Sequence, residues 1–357
     1  MRKKLSNYHP VEQISIRDVA DKLRYRTKLD MPIRALFEIT TRCNFRCVHC
    51  YHPFSGHRKD MSTSQIFSAI DQLADMGVLF LIITGGEPFF RSDFWEIIEY
   101  ARKKDFAVRL RTNGSFITKD VAHRLADLFL QEVDISIYGM SECTYKNVTG
   151  ASGVFKKVRQ GLKFLTEKGV NVFLTLILLR ENFFELESLE KFIKKTGLRY
   201  TIGWGFTAQE DGCKVPFGHE ITESQVKKLM RLHPELCEPE LDCIPSDDLQ
   251  LCIPGSHDNM SISSDGTVSP CLRIKGKASL LKNPLKEIFK KDKFFKRFRT
   301  LRWKHLTKKC LQCKALLYCR PCPANFFLES RDIMPCILRS RCKLAWMNKR
   351  MYERIHK

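Results

Sequence analysis

The stretch TTRCNFRCVHCYHP, residues 41–54, sets Cys43, Cys47 and Cys50 within eight positions, with His49 and His52 beside them. It follows directly on RALFEIT (34–40), an apolar run of strand length. Thiolates are soft ligands that suit zinc or an iron–sulfur cluster. Two readings stay open on these residues alone. A structural zinc site closes its tetrahedron with four protein ligands, and His49 or His52 would complete a set of three cysteines and one histidine. A four-iron cluster gripped by three thiolates keeps one iron open, where a substrate or cofactor can bind.

Outward from this loop, apolar runs alternate with amphipathic helical patterns. Strands are expected at 34–40, 79–84, 107–112, 132–137, 170–178 and 200–204. Several are apolar almost throughout, as parallel strands covered on both faces are. The intervening helices show their ends. A Ser62/Gln65 capping box opens one that stops at Gly77, another starts after Ser92, and Thr118 caps a third. One ends at Gly169, and an Asn182/Glu185 box opens the next, which ends at Gly197. Repeated strand–helix units predict an α/β fold: a parallel sheet, open or curled into a partial six-stranded barrel. After about residue 205 the pattern breaks, save for a helix in TESQVKKLMRL (222–232). The expected organisation is a lead-in over 1–30, the barrel over 31–235, a smaller cysteine-rich unit over 236–345 and a basic tail over 346–357.

Function in such folds gathers in loops after the carboxyl ends of strands. The three-thiol loop falls there, as do TGGEP (84–88), TNG (112–114) and SIYG (136–139). Gly85 and Gly86 allow close backbone approach to a ligand, Glu87 adds a carboxylate and Pro88 stiffens the exit. Asn113 and Ser136 are candidates for ligand binding or for turn formation. Arg109 and Arg111 alternate on one face of the third strand and either reach into the barrel or pair with acidic neighbours.

The 357 residues are 43% apolar and carry a net charge of +21. The longest apolar runs, GVLFLIIT and VNVFLTLILL, fall well short of the roughly 18 residues of a membrane span. No apolar segment follows the basic start, so a cytoplasmic protein is expected, in which 15 cysteines serve as metal ligands or reactive thiols. Residues 275–309 hold 14 Lys and Arg against Glu287 and Asp292. That run suits an acidic partner, whether nucleic acid, acidic peptide or electron donor. The preferred reading is a solvated amphipathic helix with Phe289, Phe294, Phe295 and Phe298 turned inward.

The motif C-N-F-R-C-V-H-C on the first strand–helix loop, with GGEP after the second strand, resembles the radical S-adenosylmethionine (radical SAM) superfamily. The resemblance implies that Cys43, Cys47 and Cys50 hold a 4Fe–4S cluster whose open iron chelates S-adenosylmethionine. One-electron cleavage would then release a 5′-deoxyadenosyl radical that abstracts hydrogen. Gly85, Gly86, Glu87 and Pro88, with Asn113 and Ser136, would bind the cofactor.

The tail reads CIPGSHDNMSISSDGTVSPC (252–271), then CLQCKALLYCRPC (310–322), then Cys336 and Cys342. Paired C-x2-C motifs are a metal signal, and zinc ribbons are one reading of them. Their order also resembles the SPASM extension, which implies one or two auxiliary 4Fe–4S clusters. Cys310, Cys313, Cys319 and Cys342 would ligate the outer one, and Cys252, Cys271 and Cys322 the inner one. The chain departs from that pattern at Cys319/Cys322, where the family has C-x3-C. Cys243 is a candidate fourth inner ligand, and Cys336 an alternative to Cys342. Cys143, Cys213 and Cys237 remain, as inert thiols or a hydrogen-atom donor to substrate.

The expected function is hydrogen abstraction from a peptide or protein side chain, with auxiliary clusters relaying electrons. A separate peptide-recognition protein and a flavodoxin- or ferredoxin-like electron donor are the expected partners, without a membrane. The alternative is a small-molecule or tetrapyrrole precursor as substrate. An arginine-lined pocket would favour propionate carboxylates, and an open groove a peptide. A zinc-stabilised nucleic-acid binder is the remote alternative.

Overall fold

The computed structural model describes residues 31–53, 59–237, 251, 259–319, 321–333 and 339–356; the candidates Cys243, Cys252 and Cys336 lie outside them. The chain runs β1 (Arg34–Glu38), α1 (Thr63–Asp75), β2 (Phe80–Thr84), α2 (Phe94–Lys103), β3 (Ala107–Thr112) and α3 (Lys119–Asp127). It continues through β4 (Glu132–Ile137), α4 (Glu142–Thr149), α5 (Phe155–Glu167), β5 (Val172–Ile177), α6 (Leu186–Thr196), β6 (Arg199–Gly203) and α7 (Glu223–Leu232). The six strands stand where the apolar runs predict them. The α/β class and parallel sheet hold.

Helix ends follow local chemistry in most cases. In α1 the Ser62 hydroxyl accepts from Gln65 N, and the Gln65 side-chain carbonyl accepts from Ser62 N at 2.9 Å. Ile66, Ala69, Ile70 and Leu73 then fall on one buried face. Burying each large apolar side chain in such a stripe contributes ~1.5–3 kcal/mol. The box expected at Asn182/Glu185 does not form. Asn182 is buried, accepts from Leu179 N and donates to the Tyr138 and Ile177 carbonyls, each at 2.7 Å. Glu185 accepts from Met140 N at 2.6 Å. Both side chains join the loops after β4 and β5, because these buried backbone groups need partners more than an exposed helix end does.

The sheet extends past β1. Its order is β6-β5-β4-β3-β2-β1-β7-β8-β9, where β7 (Asn259–Ile262), β8 (Thr267–Ser269) and β9 (Ala278–Ser279) come from the cysteine-rich part. β7 pairs parallel with β1, matching Arg34 to Asn259 and Phe37 to Ile262. The sheet therefore crosses the boundary expected near residue 235, and Met260 and Ile262 join the main core. Ala35, Phe37, Leu81, Ile83, Val108 and Leu110 face that core and the helices, whereas their alternating neighbours line a cavity on the other face. Residues from β1, β6 and β7 all line that cavity, so the sheet curls around it.

The basic segment forms two short helices, α8 (Leu285–Lys291) and α9 (Lys293–Thr300), where one was expected. Asp292 separates them and caps α9 by accepting from Phe294 N and Phe295 N. Phe289, Phe295 and Phe298 are buried while Lys286, Lys290, Lys293 and Lys296 are exposed. A second cluster of apolar side chains, including Ile274, Phe298, Trp303 and Phe326, packs between this segment and α10 (Pro323–Ser330). The tail expected at 346–357 is instead the greater part of a helix, α11 (Arg339–Ile355). Ala345, Met347 and Met351 are buried on it, and that apolar stripe holds it to the core. Among the described residues no helix is long and apolar enough to cross a membrane.

Candidate active site

The three-thiol loop is clamped by backbone on both sides. The amides of Gly86 and Glu87 donate to the carbonyls of Thr40 and Arg42 at 2.8 and 2.9 Å. From the other side, Arg46 N and Val48 N donate to the carbonyls of Thr149 and Val148 at the end of α4. A Cβ on Gly85 would lie 2.6 Å from the Thr40 carbonyl oxygen, so only glycine permits this approach.

The loop after β3 adds a third grip. Asn113 donates its side-chain amide to Asn44 Oδ1, and Asn44 donates to Ser115 Oγ, both at 2.9 Å. Asn113 Oδ1 also accepts from Ser115 N at 2.9 Å, the turn-forming role open from sequence. Its buried amide still faces the cavity.

That cavity has a volume of about 820 Å³. Cys43, Cys47, Cys50, Gly85, Gly86, Asn113 and Ser136 line it, so loops after four strands meet there. Glu87 and Pro88 do not line it. The Glu87 carboxylate was expected to face a ligand but is fully buried and turned away. It accepts from Thr112 Oγ1 at 2.8 Å, Asn113 N at 2.7 Å and Phe89 N at 3.3 Å. Burial pushes its carboxyl up to about 7 against those three donors. Glu87 is thus a brace between β2 and β3.

Burial, with Cys50 and Cys43 as neighbours, pushes the Cys47 thiol well up, and burial raises Cys50 to about 11. Thiols so placed ionise readily only beside a positive centre. Among the described residues no group of His, Cys, Asp or Glu forms a site for a single metal ion. Two buried polar atoms at the cavity, His49 Nδ1 and Thr41 Oγ1, have no partner among the described residues. His49 lies between the rings of Tyr138 and Phe206, at 5.6 and 5.2 Å, and burial drops its pKa to about 4, leaving a neutral imidazole. Clustered thiols, a glycine cradle and unanswered polar atoms fit a polynuclear cluster with a polar ligand beside it.

His52 is differently placed. Its Nε2 lies 2.5 Å from Glu38 Oε1, and its Nδ1 lies 3.7 Å from Glu210 Oε2. Burial would depress its pKa, but the two carboxylates raise it to about 9, which makes it an imidazolium. As a cation tied to two acids, it is not a free metal ligand.

The auxiliary cysteines sort into two groups. Burial and the nearby Cys342, Cys310 and Cys313 push the Cys319 thiol up to about 11, so those four thiols lie close together, and Cys322 shares a small cavity with Cys310, Cys319 and Cys342. α11 returns Cys342 to the group, held by Arg341, which donates to the Phe206 carbonyl at 2.7 Å. Cys271 is raised by burial with Cys322 close by, and it lines the main cavity. Cys143, Cys213 and Cys237 do not line it.

Sequence reading passed over Arg34, Asn259 and Arg273 on the cavity wall, and Asn44 and Tyr138 beside the thiols. The alternation of Arg109 and Arg111 on β3 with Asp134 and Ser136 on β4 was the available signal, because it marks the inward face. Both arginines do reach the cavity, and both also pair with Asp134.

Comparison with known proteins gives the family. Residues 37–193 match the Radical SAM superfamily, and residues 252–314 match SPASM, an iron-sulfur cluster-binding domain. An AdoMet-dependent heme synthase of Nitratidesulfovibrio vulgaris is 25% identical over 334 residues, 84% of this chain and 89% of that protein. Mycofactocin maturase MftC of Mycolicibacterium smegmatis is 34% identical over 177 residues, 49% of this chain and only 45% of the maturase. The fold superposes on SuiB of Streptococcus suis bound to S-adenosylmethionine with a TM-score of 0.67 and 18% identity, covering 92% of this chain and 81% of that one. The chain is therefore a radical SAM enzyme, a Radical SAM domain followed by a SPASM domain, with S-adenosylmethionine and 4Fe–4S clusters as its cofactors.

Proposed function

We propose that Cys43, Cys47 and Cys50 hold the cluster that binds S-adenosylmethionine, and that the enzyme takes hydrogen from a peptide or protein side chain brought into the cavity. The gathering of the thiol loop, Gly85, Gly86, Asn113 and Ser136 at one cavity carries the reading. When bound, the cluster and S-adenosylmethionine supply one-electron cleavage of the sulfonium bond and a fragment that accepts the hydrogen atom. The chain's own residues position and shield. Gly85 and Gly86 bring backbone against the cofactor, Asn113 and Ser136 offer polar groups to it, and Tyr138 and Phe206 keep water from that side. Cys310, Cys313, Cys319 and Cys342 would hold an outer auxiliary cluster. Cys271 and Cys322 would hold an inner one at the cavity wall, within reach of the second electron of an oxidation. A separate recognition protein would deliver the peptide, and a flavodoxin- or ferredoxin-like protein would supply the first electron. The half-length likeness to a mycofactocin maturase supports the peptide substrate.

A second reading, a small-molecule or tetrapyrrole precursor, has its own observation: Arg34, Arg109, Arg111 and Arg273 line the cavity. The likeness to a heme synthase over most of both chains points the same way.

The test is anaerobic reconstitution with iron and sulfide, reduction, and addition of S-adenosylmethionine. Wild type should form 5′-deoxyadenosine, and the Cys43→Ala, Cys47→Ala, Cys50→Ala triple variant should form none and carry less iron. Cleavage retained by the triple variant overturns the assignment.

A further inference from the structure

The inward face of the curled sheet carries more positive charge than its acids can answer. Arg34 opens β1, and Arg109 and Arg111 stand two apart on β3, all lining the one cavity. The acids there are already shared. Glu132 takes Arg109 at 2.8 Å and Arg199 at 2.7 Å. Asp134 takes Arg109 at 2.9 Å and Arg111 at 3.3 Å, and also accepts from Thr175 Oγ1 at 2.7 Å. Arg34 uses its Nε to donate to Asn259 Oδ1 at 2.8 Å. Among the described residues no carboxylate pairs with Arg34 or with Arg273, which lines the wall beside Cys271. Among the described residues, five arginines, Arg34, Arg46, Arg109, Arg111 and Arg273, line the cavity against two carboxylates, Asp134 and Glu210. Of these, Glu210 is engaged by His52.

Crowded like charges in a partly enclosed space are costly unless an anion joins them. The cost is visible in the basicity of the arginines. Burial lowers the pKa of Arg34, and Arg111 and Arg109 lower it further. Burial and Arg109 do the same to Arg111, although Asp134 opposes them. Arg111 nevertheless keeps 43% of its side chain accessible, and the cavity is what it faces. A planar guanidinium with free N–H groups matches a carboxylate in two parallel hydrogen bonds.

We propose that Arg34 and Arg111, with Arg273 on the wall of the same cavity, form a subsite for a carboxylate of the substrate, anchoring it on the sheet while the carbon that loses hydrogen lies nearer the thiol loop. The inference deepens the function proposed above and rests on the cavity being the substrate chamber. One chemistry has two sources here: an acidic side chain of a peptide, or a propionate-type arm of a small molecule.

Direct binding to the reconstituted full chain separates them without any turnover. One probe pair is mesoporphyrin IX and its dimethyl ester, followed by fluorescence quenching. The other is a labelled decapeptide of alternating glutamate and serine and its glutamine counterpart, followed by anisotropy. In one pair the acid should bind about tenfold or more tighter than its neutral partner, as a charge-assisted pair is worth. Arg34→Gln and Arg111→Gln should each abolish most of that preference, and Arg34→Lys should restore part of it. The pair that shows the preference names the source. Iron content and melting temperature confirm that each variant folds. A triple Lys286→Gln, Lys290→Gln, Lys293→Gln variant controls for the exposed basic helices and should keep the preference. The proposal is overturned if neither acid is preferred, if both arginine variants keep the preference, or if only the lysine variant loses it. Formation of 5′-deoxyadenosine by wild type is scored separately, so a failed subsite and a failed enzymatic reading give different results.

Discussion

Gly86 and Arg42 approach so closely that a Cβ on Gly86 would lie 2.5 Å from the Arg42 carbonyl oxygen. The obstacle is backbone, which cannot rotate aside as a side chain can. The same glycine donates its amide to Thr40 O, so the loop after β2 is the mould of the thiol loop. Gly86→Ala should cost about 1–3 kcal/mol through overpacking. It should also loosen the three cysteines relative to one another. Iron per chain after reconstitution and the melting temperature check both effects. A variant with full iron and an unshifted melt would contradict the mould.

Glu87 predicts a pH dependence whose sign is unusual for a carboxyl. Its folded pKa, about 7, lies above the ordinary value of 4.5 because burial disfavours its charge. As pH rises from 4.5 to about 7 the unfolded chain gives up this proton while the folded chain keeps it. Wild type therefore loses stability across that window, by on the order of 3 kcal/mol from this group, and no more above it. Glu87→Gln lacks the titration. It should be less stable than wild type by most at about pH 5, where the wild-type carboxyl is neutral in the fold, with the deficit shrinking toward about pH 8. Urea unfolding at the two pH values measures this, and a deficit that grows with pH would refute it.

The grouping of Cys319 with Cys310, Cys313 and Cys342 predicts separable metal centres. Cys313→Ala should lower iron by about four atoms per chain and abolish product. It should leave some uncoupled cleavage of S-adenosylmethionine, because the Cys43 loop is built from other elements. Loss of all iron in this single variant would mean that the centres are not independent.

Phe289 and Lys290 are chain neighbours with opposite expected effects. Phe289 is fully buried, edge-on to Phe295 at 5.7 Å and under the Arg299 guanidinium at 3.9 Å. Phe289→Ala should cost ~3–5 kcal/mol, whereas Lys290→Ala on the exposed face should stay within about 0.5 kcal/mol. Denaturant midpoints compare them. A large effect at Lys290 would revive a structural role for the basic stripe.

Much of the barrel was legible because its signals are short-range. Apolar runs mark β1 to β6, and Ser62 with Gln65 marks a helix start, since each depends on residues within a few positions. The Asn182/Glu185 box failed for a reason of the same kind. Its two side chains had buried backbone partners at Met140, Tyr138 and Ile177, which a local pattern cannot reveal. Glu87 was misread likewise, because motif position says nothing of which way a carboxylate turns once Thr112 and Asn113 surround it.

Sequence by itself determined the chemistry carried in one loop: three thiols at fixed spacing after a strand, followed by glycines after the next. Covalent connectivity keeps such residues together whatever the rest of the chain does. Tertiary structure alone decided that β7 would lie against β1, that Cys342 would return to Cys310, and that Arg34 would share a chamber with Arg111 and Arg273. Those encounters join residues tens to hundreds of positions apart. They follow from how a twisted sheet curls and what its exposed edge can pair with, which no local run of residues encodes.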